Sequence, residues 1–511
     1  MIFISILVMI VAMALPSTSL QQSPVLISRT IVISLIYAGV LVFNTLDIQS
    51  IGSSIGIYSG FYVANAVTQY MEMFLILTAA CILIAKPQSV YISTAVQLSG
   101  RYALVTLFST LGSILLISSS DLISMYLGIE LQSFGLYVLA TLYRNSHLAT
   151  SAGLKYFLLG GLSSSIILLG SALIYTQTGL THLEDIYHLT STLSTNSGLM
   201  LGCCLIIIGL LFKVAAAPLH HWAPDVYNDS PTLITIWLTI VPKIAILIFL
   251  LDFITGGIGN YLSAYSSPLF LYLSQWSYLG SPQILQHILL ISSLLSLIIG
   301  TVVGLVQTKI KRLLAYSTIS HIGFILLALS VNTEQSIESF LFYIIQYTLT
   351  NLNTFLILLA YGYLLKLSLN HLRNEQDKDI LYISELKGQF MANPFLSICL
   401  AICLFSMAGV PPLIGFFSKQ MVLYSALQQE YVFMSIVGII VSVISASYYL
   451  YIVRTLFTET TPTYPSNTYA HLTPIHSYLI SILTLVLLLF ILNPSLLLNS
   501  IQLMTLSLYN T

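Results

Sequence analysis

Five ionisable side chains lie inside long apolar stretches of this sequence, where a charge is costly. They are four lysines and one glutamate: Lys155, Lys213, Lys243, Lys419 and Glu130. A charged group at the centre of a bilayer costs at least about 2.5–3.5 kcal/mol, so such residues usually face the protein interior and have a function. Ammonium and carboxylate groups in such a place can hold and release protons. We therefore predict that the five residues line an ion path.

The composition places these charges in a membrane. Only 6% of the 511 residues are charged and 57% are hydrophobic, whereas a soluble domain has about 25% charged residues. The net charge of -1 gives no indication of a nucleic-acid partner. All five cysteines lie in apolar runs, and we interpret them as small apolar residues rather than metal ligands or disulfides. The chain is predicted to be a polytopic membrane protein surrounded by lipids.

Apolar stretches of about 20 residues predict membrane-spanning helices. Fourteen are found, which predicts an all-α fold. They cover residues 2–16, 27–44, 68–85, 102–119, 121–142, 151–176, 199–221, 231–252, 286–306, 312–331, 338–365, 394–425, 431–456 and 475–498.

The basic residues outside these spans provide an independent test of the count. Of the 16 Lys and Arg residues, we assign twelve to the connections that follow odd-numbered spans, including three at the very ends of spans, and the other four are the interior lysines. The connections that follow even-numbered spans contain acidic residues instead, among which we count Glu72. By the positive-inside rule, both termini face outward and the basic ends face the matrix or cytoplasm.

Two of the predicted spans contain both a lysine and a proline that interrupts a helix. Span 7 has Lys213 followed by Pro218, and span 12 has Pro411 and Pro412 followed by Lys419. Proline removes a backbone donor and breaks the helix, which a membrane tolerates only where protein or a water cavity covers the break. The breaks are five spans apart, and an odd offset predicts two inverted repeats, spans 4–8 and 9–13, as in transporters.

These repeats divide the chain into five predicted parts. A three-helix segment comes first and a loop insertion separates the two repeats, while a loop and a final helix end the chain. The parts are residues 1–100, 101–253, 254–285, 286–456 and 457–511.

Three long motifs resemble the antiporter-like membrane subunits of respiratory complex I. They are "FKVAAAPLHHWAPDVYNDSPT" (212–232), "KRLLAYSTISHIGF" (311–324) and "AGVPPLIGFFSKQ" (408–420). The resemblance implies a subunit of a proton-translocating NADH:ubiquinone reductase. Flavin, iron–sulfur clusters and quinone would lie in partner subunits, and this chain would hold no cofactor or metal. Its partners would be other membrane-arm subunits, including neighbouring antiporter-like ones. A composition rich in Ile, Ser and Tyr indicates a fungal mitochondrial inner-membrane chain, rather than one of a bacterial plasma membrane.

The resemblance also implies a role for each interior charge. Glu130 and Lys213 are similar to the ion pair of the family, Lys243 to its connecting lysine and Lys419 to its terminal lysine. Lys155 is similar to an extra lysine of span 6. Protons would be the transported species.

Other interpretations of these residues remain open. Lys155 lies only about a turn inside its span, so its ammonium could reach the membrane surface instead of relaying protons. His321 is either a neutral histidine bonded to a hydroxyl or a relay group. Lys213 and Lys243 could be structural ion-pair partners. Two alternative functions also stand: a free-standing cation/proton antiporter of the same fold and a scaffold subunit that does not pump.

The charge distribution predicts the orientation of the loop at residues 367–393, which holds Arg373, Lys378 and Lys387. We expect protease to cut this loop in inside-out membrane vesicles and to leave it intact when added outside intact mitoplasts. Cleavage from the outer face of mitoplasts would contradict the predicted topology.

Overall fold

A computed structural model describes most of the chain, and its described residues are almost entirely helical. The described ranges are residues 1–14, 24–46, 54–85, 93–144, 146–192, 197–255, 283–368, 379–458 and 473–509.

The first half of the chain forms ten described helices. They are α1 (Ile2–Ala14), α2 (Pro24–Leu46), α3 (Ala66–Ile84), α4 (Ser93–Ile117), α5 (Leu122–Ala140), α6 (His147–Thr178), α7 (Leu183–Thr192), α8 (Ser197–Val214), α9 (Trp222–Asp229) and α10 (Thr232–Phe253). A short antiparallel hairpin, β1 (Ile55–Ile57) and β2 (Tyr62–Ala64), pairs Ile55 with Ala64 between α2 and α3.

The second half continues the helical pattern. Its described helices are α11 (Gln283–Leu305), α12 (Ile310–Val331), α13 (Glu334–Ser368), α14 (Gln389–Ala392), α15 (Pro394–Ala408), α16 (Ile414–Gln428), α17 (Val432–Phe457), α18 (Pro474–Leu489) and α19 (Ser495–Tyr509). Short 3-10 turns lie at Ile383–Leu386, before α14, and at Phe490–Leu492, after α18.

The helical membrane-protein class is confirmed. Among the described residues, 11 helices are long and apolar enough to cross a membrane. Each of the fourteen predicted stretches coincides with one described helix or with a pair of shorter ones. The number of spans and the inverted repeats stay predictions.

The structure corrects the sequence analysis at three places. The hairpin β1–β2 departs from a purely helical fold. Glu72 lies inside α3, and inside the predicted stretch 68–85 itself, so it does not belong to a connection. The final stretch does not run to residue 498, because Pro494 has no N–H to continue α18, and α19 begins instead. The predicted loop insertion lies largely at residues 256–282, outside the described ranges.

Three helices form the centre of the fold. In α10, α12 and α13, 94% of the most apolar window is buried inside the protein, against 33% in α6. A helix that is apolar all round can be buried on every side, and α10 is one, since nearly all of its residues are covered. These central helices therefore provide the environment in which buried polar groups can be placed.

The packing of the helices supports the two predicted repeats. In the first unit, α4 packs on α5 and on α10, and in the second unit α11 packs on α12 and on α17. These are the same relations: the first helix of each unit contacts its second and its last. The third helix of each unit, α6 or α13, in turn packs against an interrupted span.

A buried ion pair joins the two units at their basic end. Lys311, at the start of α12, is only 2% exposed, and its Nζ lies 2.5 Å from Asp379 Oδ2 and 2.9 Å from the Ser230 carbonyl. Asp379 also accepts hydrogen bonds from the backbone N–H and the hydroxyl of Thr232, the first residue of α10. Burial alone would raise the pKa of the Asp379 carboxyl, but Lys311 and Thr232 hold it below its usual value.

The Asp379→Asn variant tests this connection. Because the folded-state pKa is lowered, the stabilisation is fully present above the unfolded pKa of about 4 and is lost only at more acidic pH. Removing the charge leaves the Lys311 ammonium buried without its partner, which we expect to cost about 3 kcal/mol at neutral pH. The measurement is the temperature at which the assembled complex dissociates on native gels.

Glu385→Gln is the matched control, because Glu385 makes a single long bond to the Leu381 N–H at an exposed site. Equal dissociation temperatures for the two variants would contradict a stabilising role of Asp379.

Candidate functional site

Lys213 lies at the point where α8 stops. The helix ends at Val214 because Ala215 adopts a left-handed conformation with φ of 67° and Pro218 cannot continue a helix. The Lys213 Nζ is buried and has no hydrogen-bond partner in the described structure. A buried ammonium without a bonded acceptor can be stabilised only by more distant charges or by a water molecule beside it.

Glu130 on α5 provides the distant charge. It interacts electrostatically with Lys213, but the two side chains form no ion pair within 4 Å among the described residues. One carboxyl oxygen of Glu130, Oε1, is also buried without a hydrogen-bond partner. The structure thus brings the predicted pair into one region without direct contact.

A small cavity lies beside Lys213. Its volume of about 20 Å³ is enough for one water molecule. Several of its walls are polar, and Gln132 Nε2 is another buried donor without a partner. The polar lining residues are Gln132, Ser133, Tyr137, Tyr156, Ser163 and Lys213.

Trp222 closes the break from the other side. Its side chain is buried, its ring stacks on Tyr156 at 4.8 Å, and its indole N–H donates to the Phe212 carbonyl at 2.9 Å. The same carbonyl also accepts from the Ala215 backbone N–H at 3.1 Å, so two donors share it at the end of α8.

Lys243 lies at the centre of the buried helices. It directly follows Pro242, a proline inside α10 that sequence analysis did not single out. The Lys243 Nζ donates to the hydroxyls of Thr318 at 3.3 Å and Tyr347 at 3.4 Å. The ring of Tyr227 lies 5.4 Å away, at cation–π distance. Hydroxyls and aromatic faces, rather than a carboxylate, surround this ammonium.

His321 lies between two tyrosines. Its Nδ1 is 2.8 Å from the Tyr343 hydroxyl and its Nε2 is 3.2 Å from the Tyr449 hydroxyl. It is buried and interacts electrostatically with both Lys243 and Lys419. The structure therefore places His321 between the two lysines, with a hydroxyl on each ring nitrogen.

Lys419 satisfies the end of the second broken helix. Its Nζ donates to the carbonyls of Met407 at 2.9 Å and Ala408 at 3.0 Å, in the last turn of α15. The helix ends there because Gly409 has φ of 87°, a left-handed conformation typical of helix C-termini. The negative end of the helix dipole stabilises a cation at this place.

Lys155 is the one predicted site residue that lies apart from this row. Its side chain is 50% exposed, and its Nζ lies 3.1 Å from Asp225 Oδ2. Asp225 also contacts Arg312, at 3.4 Å. The structure therefore groups Lys155 with a surface ion-pair cluster near the first break.

Sequence analysis missed the partners of the buried cations. One signal was available: Thr318 and His321 are three residues apart in α12, so both face the same side of that helix. Tyr343 and Tyr347 have the equivalent spacing of four residues in α13. No three His, Cys, Asp or Glu residues come together as a metal site in the described part of the chain.

Comparison with known proteins places the chain in a family. The sequence model of the NADH:quinone oxidoreductase/Mrp antiporter transmembrane family matches residues 119–445. The chain is 46% identical to NADH-ubiquinone oxidoreductase chain 2 of Rhizopus oryzae, over 100% of both proteins. The chain belongs to this family.

Solved structures agree with this assignment. A chain of respiratory complex I from Thermus thermophilus matches with a TM-score of 0.74 and 26% identity, and the match covers 98% of this chain and 99% of that one. A chain of the Mrp complex from a Dietzia species shares the fold, with a TM-score of 0.77, 18% identity and coverage of 99% and 96%. Like its relatives, this chain is a multi-pass membrane protein.

Gly409→Ala tests the contact between the second break and Lys419. A Cβ at residue 409 would lie 3.1 Å from Lys419 Cδ, and the positive φ would cost about 1–2 kcal/mol. We expect NADH-driven proton pumping to fall severalfold in the assembled complex.

Gly179→Ala is the control, because Gly179 also has a positive φ but nothing lies within 4 Å of the added Cβ. Equal loss of pumping in the two variants would mean that backbone strain, rather than displacement of Lys419, is responsible.

Proposed function

We propose that this chain is a core membrane-arm subunit of a proton-translocating NADH:ubiquinone oxidoreductase and that its buried row relays protons. The observation that supports this proposal is the set of buried polar groups at the two helix breaks and on the three central helices. The row runs through Glu130, Lys213, Lys243, His321 and Lys419, with tyrosine and threonine hydroxyls between several of them.

The first step of the proposed relay is at Lys213. Burial disfavours an ammonium and a nearby carboxylate favours it. Since Glu130 is near but not bonded, a small movement of either side chain changes how strongly Lys213 holds its proton. A water in the neighbouring cavity would accept that proton, with Ser133, Tyr137 and Ser163 available as further hydroxyls.

The central step uses the ring of His321. A neutral imidazole accepts a proton at one nitrogen and releases another from the opposite nitrogen, which moves a proton across the ring without net change. Each nitrogen of His321 has a tyrosine hydroxyl as its neighbour, so both directions are available. In this scheme the proton leaves Lys243 through Thr318 or Tyr347 and reaches Lys419 beyond the histidine.

Lys155 enters the proposal in a different position. Its half-exposed ammonium and its bond to Asp225 suit a group at an end of the path, where protons enter or leave. The alternative role for Lys155 is structural: its ion pair with Asp225 would only hold α9 against α6. A relay role for Lys155 stays a prediction.

The remaining features of the proposal concern the setting of the chain. The redox groups, flavin, iron–sulfur clusters and quinone, would belong to partner subunits. The location would be the mitochondrial inner membrane, with both termini toward the intermembrane space. Residues 101–253 and 286–456 would be the two inverted units, each with one break.

Two alternative functions can be distinguished from the proposed one by experiment. A free-standing cation/proton antiporter would share the fold, but it would exchange sodium for protons without any NADH-oxidising partner. A scaffold subunit would assemble in the complex yet tolerate loss of the buried lysines. Purification in mild detergent separates the first case, since co-migration with flavin- and iron–sulfur-containing subunits supports membership in complex I.

Lys213→Arg tests the relay. Arginine keeps the positive charge but stays protonated at any accessible pH, so a relay fails while a structural charge is retained. We expect coupled turnover and proton pumping to fall to about a tenth or less, because a positioned proton-transfer group contributes roughly 100-fold or more. Lys213→Ala should have the same effect.

The measurement is acidification of vesicles that contain the complex, with its content checked on native gels. Lys387→Arg, at an exposed loop lysine, is the control for the substitution itself. Normal pumping by an assembled Lys213→Arg complex would show that Lys213 has a structural role.

A further inference from the structure

A groove among the first helices has no part in the proposed relay. It has a volume of about 330 Å³ and lies between the end of α1, the middle of α4 and the end of α5. Its walls are mostly apolar, with one guanidinium group and one threonine. The lining residues are Met13, Arg101, Leu104, Val105, Val138, Thr141 and Leu142.

The groove lies at the membrane face that is predicted to carry the positive charge. Arg101 lines it directly and is exposed, while the exposed Arg144 follows two residues after the lining residue Leu142. The exposed Arg29 is on α2, whose Ile27 side chain approaches Gly100 on α4. One arginine therefore lines the groove, and two others lie on neighbouring segments.

These arginines lack acidic partners. None of the three forms an ion pair with any described residue. The sequence itself has no Asp or Glu in residues 1–46, 85–120 or 131–183, which include every residue that lines the groove. An arginine without an acidic partner beside an apolar groove suits an anion that also has an apolar part.

We propose that this groove binds one anionic phospholipid, with its phosphate on Arg101 and an acyl chain along Leu104, Val105, Val138 and Leu142. Basic pockets between transmembrane helices on the matrix or cytoplasmic side are typical sites for anionic headgroups. A guanidinium offers two parallel N–H donors to a phosphate. A zwitterionic lipid has the same phosphate, but its headgroup cation offsets the negative charge and is repelled by the guanidinium, so an anionic lipid is favoured. No carboxylate lines the groove to hold a choline or ethanolamine group.

The bound lipid would connect the first helix to the rest of the protein. One wall of the groove belongs to α1 and the other to α4 and α5. Val138 is eight residues beyond Glu130 on the same helix, a distance of about 12 Å. The lipid would therefore support the N-terminal segment and the helix that carries Glu130 without entering the proton path.

The experiment counts lipids on the intact complex. The complex is purified in mild detergent, depleted of loosely bound lipid, incubated with cardiolipin, phosphatidylglycerol or phosphatidylcholine, and analysed by native mass spectrometry. We expect Arg101→Gln to lose one tightly bound anionic phospholipid per complex. Val138→Trp, which fills the groove from the membrane side, should lose the same lipid. Phosphatidylcholine should not replace it in the unmodified complex.

Arg454→Gln is the matched control, since Arg454 is an exposed arginine at the same predicted membrane face, in the last turn of α17. It should retain the full number of lipids. Unchanged lipid content in Arg101→Gln would overturn the proposal. A photoreactive residue at position 138 is a second test. Labelling of a phospholipid would support the site. Labelling of a neighbouring subunit would contradict it, because protein would then cover the groove.

Discussion

The buried ammonium groups are the constraint on which the rest of this structure depends. Each of them must recover, from acceptors inside the protein, the hydration it loses in a membrane. Lys419 finds the free carbonyls at the end of α15, and Lys243 finds two hydroxyls and two aromatic rings. A continuous helix offers no free carbonyl in its interior, so the break at Gly409 is what makes the Lys419 site available.

The two helix breaks differ in the hydrogen-bond acceptors that they offer to their lysines. Lys419 follows its break and bonds back to the preceding half-helix, so its ammonium is satisfied by the backbone. Lys213 precedes its break, and the nearby Phe212 carbonyl is already taken by the Trp222 indole. Lys213 is consequently left with a distant carboxylate and a cavity the size of one water. Of the two, Lys213 is the residue whose charge state responds more to small movements.

The sequence was sufficient to locate the helices and the interior charges but not the contacts between them. Hydropathy located every long apolar stretch, because the membrane imposes length and composition on each one. Glu72 was counted with the connections because it is acidic and near the start of its stretch, but it lies inside α3. The partners of Lys243 and His321 are up to 128 positions away in sequence, and only the packing of the central helices brings them together. The burial of Trp222 is a further case, because an aromatic residue near a helix end looks the same in sequence whether lipid or protein covers it.

The ion pair at the basic end limits how the proposed switch can move. Asp379 holds the first residue of α10 and, through Lys311, the first turn of α12 and the Ser230 carbonyl that follows α9. Lys243 lies eleven residues along α10 from Thr232, about 16 Å, on a helix that is buried on all sides. Sliding of α10 against α12 would break the buried pair, which is costly. In the proposed switch, the movement that changes the surroundings of Lys213 is therefore expected in the parts that this pair does not hold: α5, α8 or the non-helical segment at residues 215–221.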